Sequence, residues 1–241
     1  MLRDVRTGSA LADPIGLYRS DERSSAAGPW VMLNMIVSID GATTVAGRSR
    51  GLGDDDDRLV FQAIRSVPDV ILVGASTVQA EDYGPVVLDD RHSQARVDSG
   101  LDPAPRLVIL SGSLSLDPSA RVFADPDHRP TVLTRPGADT ARLRALAEVA
   151  DIVEASDLSG GTLIDLLGPA RVVLCEGGPT LNGQLVAAGI VDEVNLTVAP
   201  MLVAGDSARM AHGEAGTPSS DMRLERILLG DRSLFLRFVS Q

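Results

Sequence analysis

Apolar and polar residues alternate along this chain in two periods, and together they predict an α/β protein. Short runs of apolar and often β-branched residues, typical of buried parallel strands, occupy positions 30–39, 69–74, 106–110, 131–134, 151–153 and 171–175. Between these runs, apolar residues recur about every three to four positions. That spacing predicts helices at 54–67, just after Gly74, and at 139–150, 163–167 and 180–188.

The two ends of the chain follow different patterns from its middle. After about residue 190, strands follow one another without helices: Glu193–Ala199 alternates apolar and polar residues, and 224–229 and 234–239 flank a hairpin turn. We therefore predict a mostly parallel, doubly wound sheet finished by antiparallel C-terminal strands. Residues 1–28 are polar and rich in small residues, so they are predicted to be a mobile arm with at most one docked turn. Residues 29–241 are predicted to form a single domain.

One strand-to-helix junction is the leading candidate for a binding site. The run at 171–175 stops at Glu176-Gly177-Gly178-Pro179, and Thr180 then offers a helix N-cap. Glycines before a new helix leave backbone N–H groups bare at the carboxyl edge of a sheet, which suits a phosphate group. A tight turn with a solvated acid is the alternative interpretation.

Other polar stretches admit both a structural and a functional interpretation. A second strand ends at Gly74, and the short helix after it repeats the design of the first junction. Four aspartates at 54–57 open a predicted helix, which favours capping over a cation site. Arg91 and Arg96 lie in a predicted polar loop, 86–105, where they either clamp an anion or are solvated.

Composition excludes several classes of function. The net charge of the 241 residues is −11, from 22 basic and 33 acidic residues, which argues against nucleic acid or an anionic membrane as a partner. The sequence contains no lysine, so Schiff-base chemistry and a P-loop lysine are excluded. Cys175 is the only cysteine and the three histidines are scattered, so no metal site is expected. No apolar run is long enough to span a membrane, and a soluble cytoplasmic protein is expected.

Four groups of residues at predicted strand ends resemble a known family. They are Asn34 with Ser38-Ile39-Asp40-Gly41; Asp69-Val70, Gly74, Thr77-Val78 and Glu81; Glu176-Gly177-Gly178-Pro179-Thr180-Leu181; and Val191-Asp192-Glu193 with Pro200 and Gly205. Over roughly residues 28–240, the chain resembles the RibD C-terminal, dihydrofolate-reductase-like domain of riboflavin biosynthesis. It looks most like the stand-alone pyrimidine reductases. The zinc-deaminase signatures HxE and PCxxC do not occur in the sequence, so the bifunctional form is not expected.

The resemblance implies an activity and a set of site residues. The activity is NADPH-dependent reduction of a phosphoribosylamino-pyrimidine, a small phosphorylated substrate whose ribose opens to a ribityl chain. Implied cofactor contacts are Gly74, Thr77, Glu81, Ser111, Arg135, Gly177, Gly178, Pro179 and Thr180. Implied substrate contacts are Asn34, Ser38, Arg91 and Arg96. Asp40 and Glu176 are the implied catalytic acids, expected near one pocket. A homodimer and a cis peptide between Gly177 and Gly178 are also implied.

Two departures from the family pattern leave alternatives open. Many relatives carry lysine where this chain has Asn34, which makes a dihydropterin or another small heterocycle an alternative substrate. Ser111-Gly112-Ser113 lacks an arginine that some relatives place near the adenosine phosphate. Either Arg135 substitutes for it, or selectivity for NADPH over NADH is relaxed. A nucleotide-binding module without catalysis is the third hypothesis.

Overall fold

The computed structural model describes residues 1–25, 28–214 and 219–241, and all the strands within these residues belong to one sheet. The strands are β1 (Leu2–Asp4), β2 (Ala10–Leu11), β3 (Trp30–Ser38), β4 (Val70–Gly74), β5 (Arg106–Leu110), β6 (Thr131–Thr134), β7 (Asp151–Glu154), β8 (Val172–Cys175), β9 (Glu193–Ala199), β10 (Met222–Leu229) and β11 (Leu234–Ser240). The helices are α1 (Ile15–Arg19), α2 (Asp55–Arg65), α3 (Ala75–Ala80), α4 (Asp90–Val97), α5 (Thr140–Ala147), α6 (Gly160–Asp165) and α7 (Pro179–Ala187), with 3₁₀ turns at Ser49–Gly51 and Arg121–Phe123.

The parallel part of the sheet has the strand order β9-β3-β8-β4-β5-β6-β7. β8 lies near its middle and is buried along its whole length, as its unbroken apolar run predicts. Beyond β9 come β11, β10, β1 and β2, each antiparallel to its neighbour. β9 joins the two regions, because it pairs parallel with β3 and antiparallel with β11. The predicted mostly parallel sheet with antiparallel C-terminal strands is confirmed.

Helices cover both faces of the parallel strands, and an apolar core lies under each set. Successive side chains of a strand point to opposite faces, so Ile71 belongs to one core and Leu72 to the other. Helices α1, α2 and α5 pack on the core that contains Ile71, and α6 and α7 on the core that contains Leu72. None of the helices in the described ranges is long and apolar enough to cross a membrane.

The N-terminal residues are packed on the sheet rather than forming a mobile arm. β1 pairs with β10, and Leu2 and Tyr18 are only 1% and 2% exposed. Arg23 Nε donates to Glu193 of β9 at 2.9 Å, with both side chains buried. These anchors are too far apart in the sequence to produce a helical or strand period, which is why the pattern suggested an arm. Residues 26 and 27 of that predicted arm lie outside the described residues.

The predicted polar loop at 86–105 contains helix α4. Asp89 caps this helix by accepting a hydrogen bond from His92 N at 2.9 Å. The buried positions of the helix are His92 and Arg96 instead of aliphatic residues. The helix therefore lacks the apolar period by which a buried face is recognised, and the loop prediction was wrong.

Candidate active site

A cavity of about 750 Å³ opens at the carboxyl ends of the central parallel strands. Its walls come from β3 and β9, the loop after β3, helix α2 from Asp57 to its last residue, helix α3 and the start of α7. Residues that line it include Asn34, Asp57, Phe61, Thr77 and Glu176. A cleft at the carboxyl ends of parallel strands is the usual position for a ligand in an open α/β sheet.

The two strand-to-helix junctions meet directly at this cavity. Gly74 N donates to the Gly177 carbonyl at 2.8 Å, which ties the end of β4 to the end of β8. The peptide bond between Gly177 and Gly178 is cis, as the family resemblance implied. A Cβ placed on Gly178 would lie 2.6 Å from Thr77 Oγ1. Only glycine therefore fits at position 178 without displacing Thr77, and the backbone is left open to a ligand.

Helix α7 has its N-cap two residues earlier than the sequence suggested. Its N-cap is Gly178 and its first residue is Pro179, so the prediction that Thr180 is the cap was wrong. Proline suits this first position because its missing N–H would have no partner within the helix. No side chain caps the helix. The N–H groups of its first turn are therefore available to an anion at the cavity wall.

Glu176 reaches the cavity within a buried ion pair. Arg65 of α2 donates to both carboxylate oxygens, Nε to Oε1 at 2.8 Å and Nη2 to Oε2 at 2.7 Å. The Tyr83 hydroxyl also donates to Glu176 Oε2, and the guanidinium lies 4.1 Å from the centre of the Phe61 ring. Burial lowers the pKa of Arg65, but the adjacent Glu176 carboxylate outweighs burial and the pKa is raised. Burial, reinforced by Glu176, raises the pKa of Tyr83.

Asp40 does not line the cavity, contrary to the expectation that it would meet Glu176 there. Its carboxylate accepts hydrogen bonds from Ser38 Oγ at 2.5 Å and from Ala204 N at 2.7 Å. These bonds lower the pKa of Asp40 to about 2, and the bond from Ser38 has the largest effect. Ser38 is buried and also accepts from Ala42 N at 2.9 Å. Through these bonds the two residues connect the turn after β3 to the loop after β9, and neither lines the cavity.

The two arginines predicted to bind the substrate phosphate are also outside the cavity. Arg96 is 1% exposed and donates to the carbonyl groups of Pro68 at 2.6 Å and Asp102 at 2.8 Å. It therefore ties α4 to the segment before β4. Arg91 forms an ion pair with Asp13 at 2.5 Å, next to the N-terminal segment.

Other arginines provide the positive charge of the cavity wall. Arg50, in the loop after β3, and Arg58, in α2, line the cavity and are exposed to solvent. Arg58 makes a surface ion pair with Asp55. Arg121 also lines the cavity but is paired with Asp82 at 2.9 Å. Sequence reasoning did not identify Arg50 or Arg58 as site residues, because it assigned the aspartates before Arg58 to helix capping and Arg50 lies in an irregular loop.

The remaining predicted cofactor contacts divide into two groups. Thr77 and Glu81 line the cavity, and Glu81 Oε1 accepts a hydrogen bond from Ser49 N at 2.6 Å. Ser111 is 3% exposed and does not line it. Arg135 is exposed near the end of β6, and its Nη1 would lie 3.7 Å from a Cβ on Gly112. The structure thus places Arg135 beside the turn that lacks the arginine of some relatives.

The four consecutive aspartates that open α2 have four different environments. Asp54 caps the helix by accepting from Asp57 N at 2.8 Å, and Asp55 is exposed. Asp56 accepts from Asp231 N at 2.7 Å and so holds the hairpin turn. Asp57 lines the cavity next to Thr197, a position that sequence reasoning did not identify. Among the residues that the structure describes, no group of three or more Asp, Glu, His or Cys could hold a metal ion.

The donor set of the cavity fits a dinucleotide. The open backbone at Gly178 and the N–H groups of the first turn of α7 suit a pyrophosphate. Arg135 lies at the end of β6, beside Gly112 and outside the cavity lining. The model of the RibD C-terminal domain matches residues 29–234. The chain belongs to this family.

Relatives within the RibD C-terminal family include stand-alone and longer proteins. The chain is 34% identical to the 2,5-diamino-6-ribosylamino-4(3H)-pyrimidinone 5′-phosphate reductase of Methanothermobacter thermautotrophicus over 213 residues, 82% of this chain and 90% of the relative. It is 32% identical over 207 residues to the riboflavin biosynthesis protein RibD of Mycobacterium tuberculosis, but this covers only 51% of that protein. A solved pyrimidine reductase-like protein from Corynebacterium diphtheriae, 29% identical, superposes with a TM-score of 0.79 over 88% of this chain and 92% of its own.

Proposed function

We propose that this chain is an NADPH-dependent reductase of a 5-phosphoribosylamino-pyrimidine, the 5-amino-6-(5-phosphoribosylamino)uracil type of substrate or its 2,5-diamino-pyrimidinone form. The reaction reduces the ribosyl group to a ribityl chain. One observation carries the proposal: a single cavity joins an anion-binding backbone at Gly178 to the solvent-exposed arginines Arg50 and Arg58. Such a cavity accommodates a dinucleotide at one end and a phosphorylated substrate at the other.

The cofactor end would hold NADPH through backbone and side-chain donors. The first-turn N–H groups of α7 and the Thr77 hydroxyl would bind the pyrophosphate, and Arg135 would bind the 2′-phosphate that distinguishes NADPH from NADH. When bound, the cofactor supplies a hydride. The protein provides position and charge.

The substrate end would be recognised by charge and by hydrogen-bond acceptors. Arg50 and Arg58 are placed for the phosphate, in the role first predicted for Arg91 and Arg96. Glu176, oriented by its ion pair with Arg65, and the Asn34 amide would accept hydrogen bonds from the amino groups of the pyrimidine.

Turnover with a panel of substrates tests the proposal. We expect NADPH oxidation with a phosphoribosylamino-pyrimidine, detection of the ribitylamino product, and a large loss of rate when the substrate is dephosphorylated. Reduction of dihydropterins or other unphosphorylated heterocycles alone would favour the alternative substrate class, which the Asn34 departure keeps open. NADPH binding without turnover of any member would indicate a non-catalytic nucleotide-binding module.

We also propose a homodimer, formed through the exposed face of the antiparallel strands. On β9 the buried face carries Glu193 and Thr197, whereas the opposite face carries partly buried apolar side chains such as Leu196. That apolar face continues over β11 and β10, where Leu229 and Leu234 pair with each other and remain 44% and 39% exposed. Contiguous exposed apolar surface of this kind marks an interface between subunits.

Light scattering of paired variants tests the dimer. Leu229→Glu with Leu234→Glu should convert the wild-type dimer to a monomer. Leu59→Glu with Val97→Glu, at positions 42% and 46% exposed on α2 and α4, is the matched control and should stay dimeric. A wild-type monomer at micromolar concentration would contradict the proposal.

A further inference from the structure

The carboxyl group of Asp57 enters the cavity from the first turn of α2. The backbone N–H of Asp57 donates to Asp54 and completes the helix cap, while the side chain lines the cavity. A Cβ on Gly53 would lie 2.8 Å from Asp57 Oδ2, so this glycine makes room for the carboxyl. Thr197 on β9 lines the cavity beside it, and the Thr197 hydroxyl lowers the pKa of this carboxyl. The local fold therefore places this carboxyl where it can contact a ligand bound in the cavity.

The strand register places Asp57 at the substrate end of the cavity. Thr197 is paired with Ile36 in neighbouring β3, two residues beyond Asn34 on the same face. The Gly178 backbone belongs to the β8–β4 junction on the other side of β3. Arg58 directly follows Asp57 in α2 and lines the same cavity. A phosphorylated substrate held by Arg58 would therefore have its sugar near the Asp57 carboxyl.

The other acids that line the cavity already bind donors. Both oxygens of Glu176 are taken by Arg65, with Tyr83 as a third donor. Glu81 accepts from a backbone N–H, and Asp82 is paired with Arg121. A carboxylate held by such donors is not placed to give a proton to a ligand. Within the described residues the Asp57 carboxyl forms no ion pair, and the neighbouring Arg58 guanidinium pairs with Asp55 instead.

We propose that Asp57 is a catalytic residue that donates a proton to the ring oxygen of the substrate ribose as the ring opens; this inference rests on the proposed function. The C1′–O4′ bond breaks, its electron pair stays on O4′, and O4′ takes the Asp57 proton to become the 4′-hydroxyl. The nitrogen lone pair forms a C1′=N⁺ double bond. Hydride from the nicotinamide cofactor adds to C1′, and the π electrons return to nitrogen as the lone pair of a secondary amine. The Asp57 carboxylate then regains a proton from water.

The environment of Asp57 suits a proton donor. Burial is the largest influence on the pKa of the Asp57 carboxyl and raises it, and the charge of Asp54 raises it further. The Thr197 hydroxyl and the charge of Arg58 lower this pKa, but the net shift is upward. After the proton has left, the N-terminus of α2 stabilises the carboxylate that remains. The other charged groups that line the cavity are Arg50, Glu81, Asp82, Arg121 and the Arg65–Glu176 pair.

Steady-state kinetics of Asp57→Asn provides the first test. The amide keeps the shape and hydrogen-bonding capacity of the carboxyl but has no proton to give, so kcat should fall about 100-fold or more, with substrate KM within about threefold. Wild-type kcat should be high at low pH and fall as pH rises through the Asp57 pKa, because only the protonated acid is active. The Asp57→Asn profile should lack this limb. Asp55→Asn removes the same charge from the exposed residue two positions earlier and should leave kcat within about twofold.

Two further measurements do not depend on Asp57→Asn activity. Carbon NMR of aspartate-labelled, cofactor-free protein should show one carboxyl resonance, absent from Asp57→Asn, that titrates above the ordinary aspartate pKa of about 3.9. Thr197→Val removes the hydroxyl that lowers the pKa of Asp57, so the alkaline limb of kcat should move to higher pH. If Asp57→Asn fails to fold, this shift decides the question.

The outcomes separate this inference from the proposed function. Wild-type protein inactive on every phosphoribosylamino-pyrimidine would overturn the function and the proton donor together. An active wild type whose Asp57→Asn variant keeps kcat within about fivefold and retains the pH limb would overturn only the role of Asp57. An unmoved limb in Thr197→Val would also contradict it.

Discussion

The two walls of the cavity are built from different parts of the polypeptide. The cofactor wall consists mainly of backbone and small side chains, contributed by Ser76, Thr77, Gly178 and Pro179. The substrate wall consists of side chains from four separate segments, namely Asn34, Arg50, Asp57, Arg58 and Thr197. The cofactor wall comes from two short segments and tolerates no added side chain at Gly178, because a Cβ there would meet Thr77. The substrate wall is dispersed, and its chemistry depends on individual functional groups.

This difference implies different responses to substitution. A binding site made of backbone groups is blocked when any side chain fills its space. A substitution in a wall of side chains removes only the interaction of that one side chain. Substitutions in the cofactor wall should therefore abolish cofactor binding outright. Those in the substrate wall should give graded changes in turnover or substrate affinity. The four predictions below test this contrast.

Gly178→Val should have the largest effect. The added side chain would meet Thr77 Oγ1 and occupy the space left for a phosphate. We expect the dissociation constant for NADPH to rise about 100-fold or more, roughly 2.7 kcal/mol of binding free energy. Isothermal titration calorimetry on folded protein provides the measurement. Gly161→Val, where a Cβ would meet open space in α6, is the control and should bind NADPH normally. Wild-type affinity in a folded Gly178→Val protein would contradict the proposal that the backbone at Gly178 binds a phosphate of the cofactor.

The same contrast explains what the sequence could and could not predict. The central strands, their glycine junctions and the start of α2 arise from residues close together in the chain, and local pattern was sufficient for them. The Arg65–Glu176 pair joins residues 111 positions apart. In the sequence, Arg65 is simply a basic residue in the last turn of α2, with nothing to mark its partner.

Charged residues with structural roles were the main source of error. Arg96 satisfies carbonyl groups in the interior, and Asp40 holds backbone N–H groups of a loop. Both functions depend on the folded backbone, which no residue pattern reveals. The resemblance placed Asp40 correctly at the end of its strand, but the loop after β9 takes the carboxylate away from the cavity.

Glu176→Gln should have the next largest effect, at the boundary between the two walls. The amide removes one anionic acceptor for the pyrimidine and breaks the bidentate pair with Arg65. We expect kcat with the phosphoribosylamino-pyrimidine to fall at least about tenfold, roughly 1.4 kcal/mol. Thermal unfolding should also occur at lower temperature, since Arg65 is left buried beside a neutral partner. NADPH affinity should change little, and a loss equal to that of Gly178→Val would mean that the two walls are not separate.

Arg58→Ala tests the substrate wall by itself. Losing one exposed cation near a bound phosphate should raise KM for the phosphorylated substrate about fivefold, or about 1 kcal/mol, without changing NADPH affinity. Arg91→Ala is the matched control, because Arg91 pairs with Asp13 away from the cavity and should have no effect. Steady-state kinetics at constant ionic strength measures both. A larger effect from Arg91 would restore the original sequence-based prediction.

Arg135→Leu should have the smallest effect. This variant tests whether the cofactor-binding surface extends to the end of β6. Arg135 is exposed beside Gly112, so its attraction to the 2′-phosphate of NADPH is screened by solvent and salt. We expect about a threefold loss of affinity for NADPH and none for NADH, and the loss should shrink as salt is raised. Arg142→Leu, at an exposed position in the first turns of α5, removes the same charge away from this turn and should leave the NADPH-to-NADH ratio unchanged. Binding titrations with both nucleotides measure the ratio directly. An equal loss for both would place Arg135 near the shared pyrophosphate, and no loss for either would confine cofactor recognition to the backbone of Gly178 and the first turn of α7.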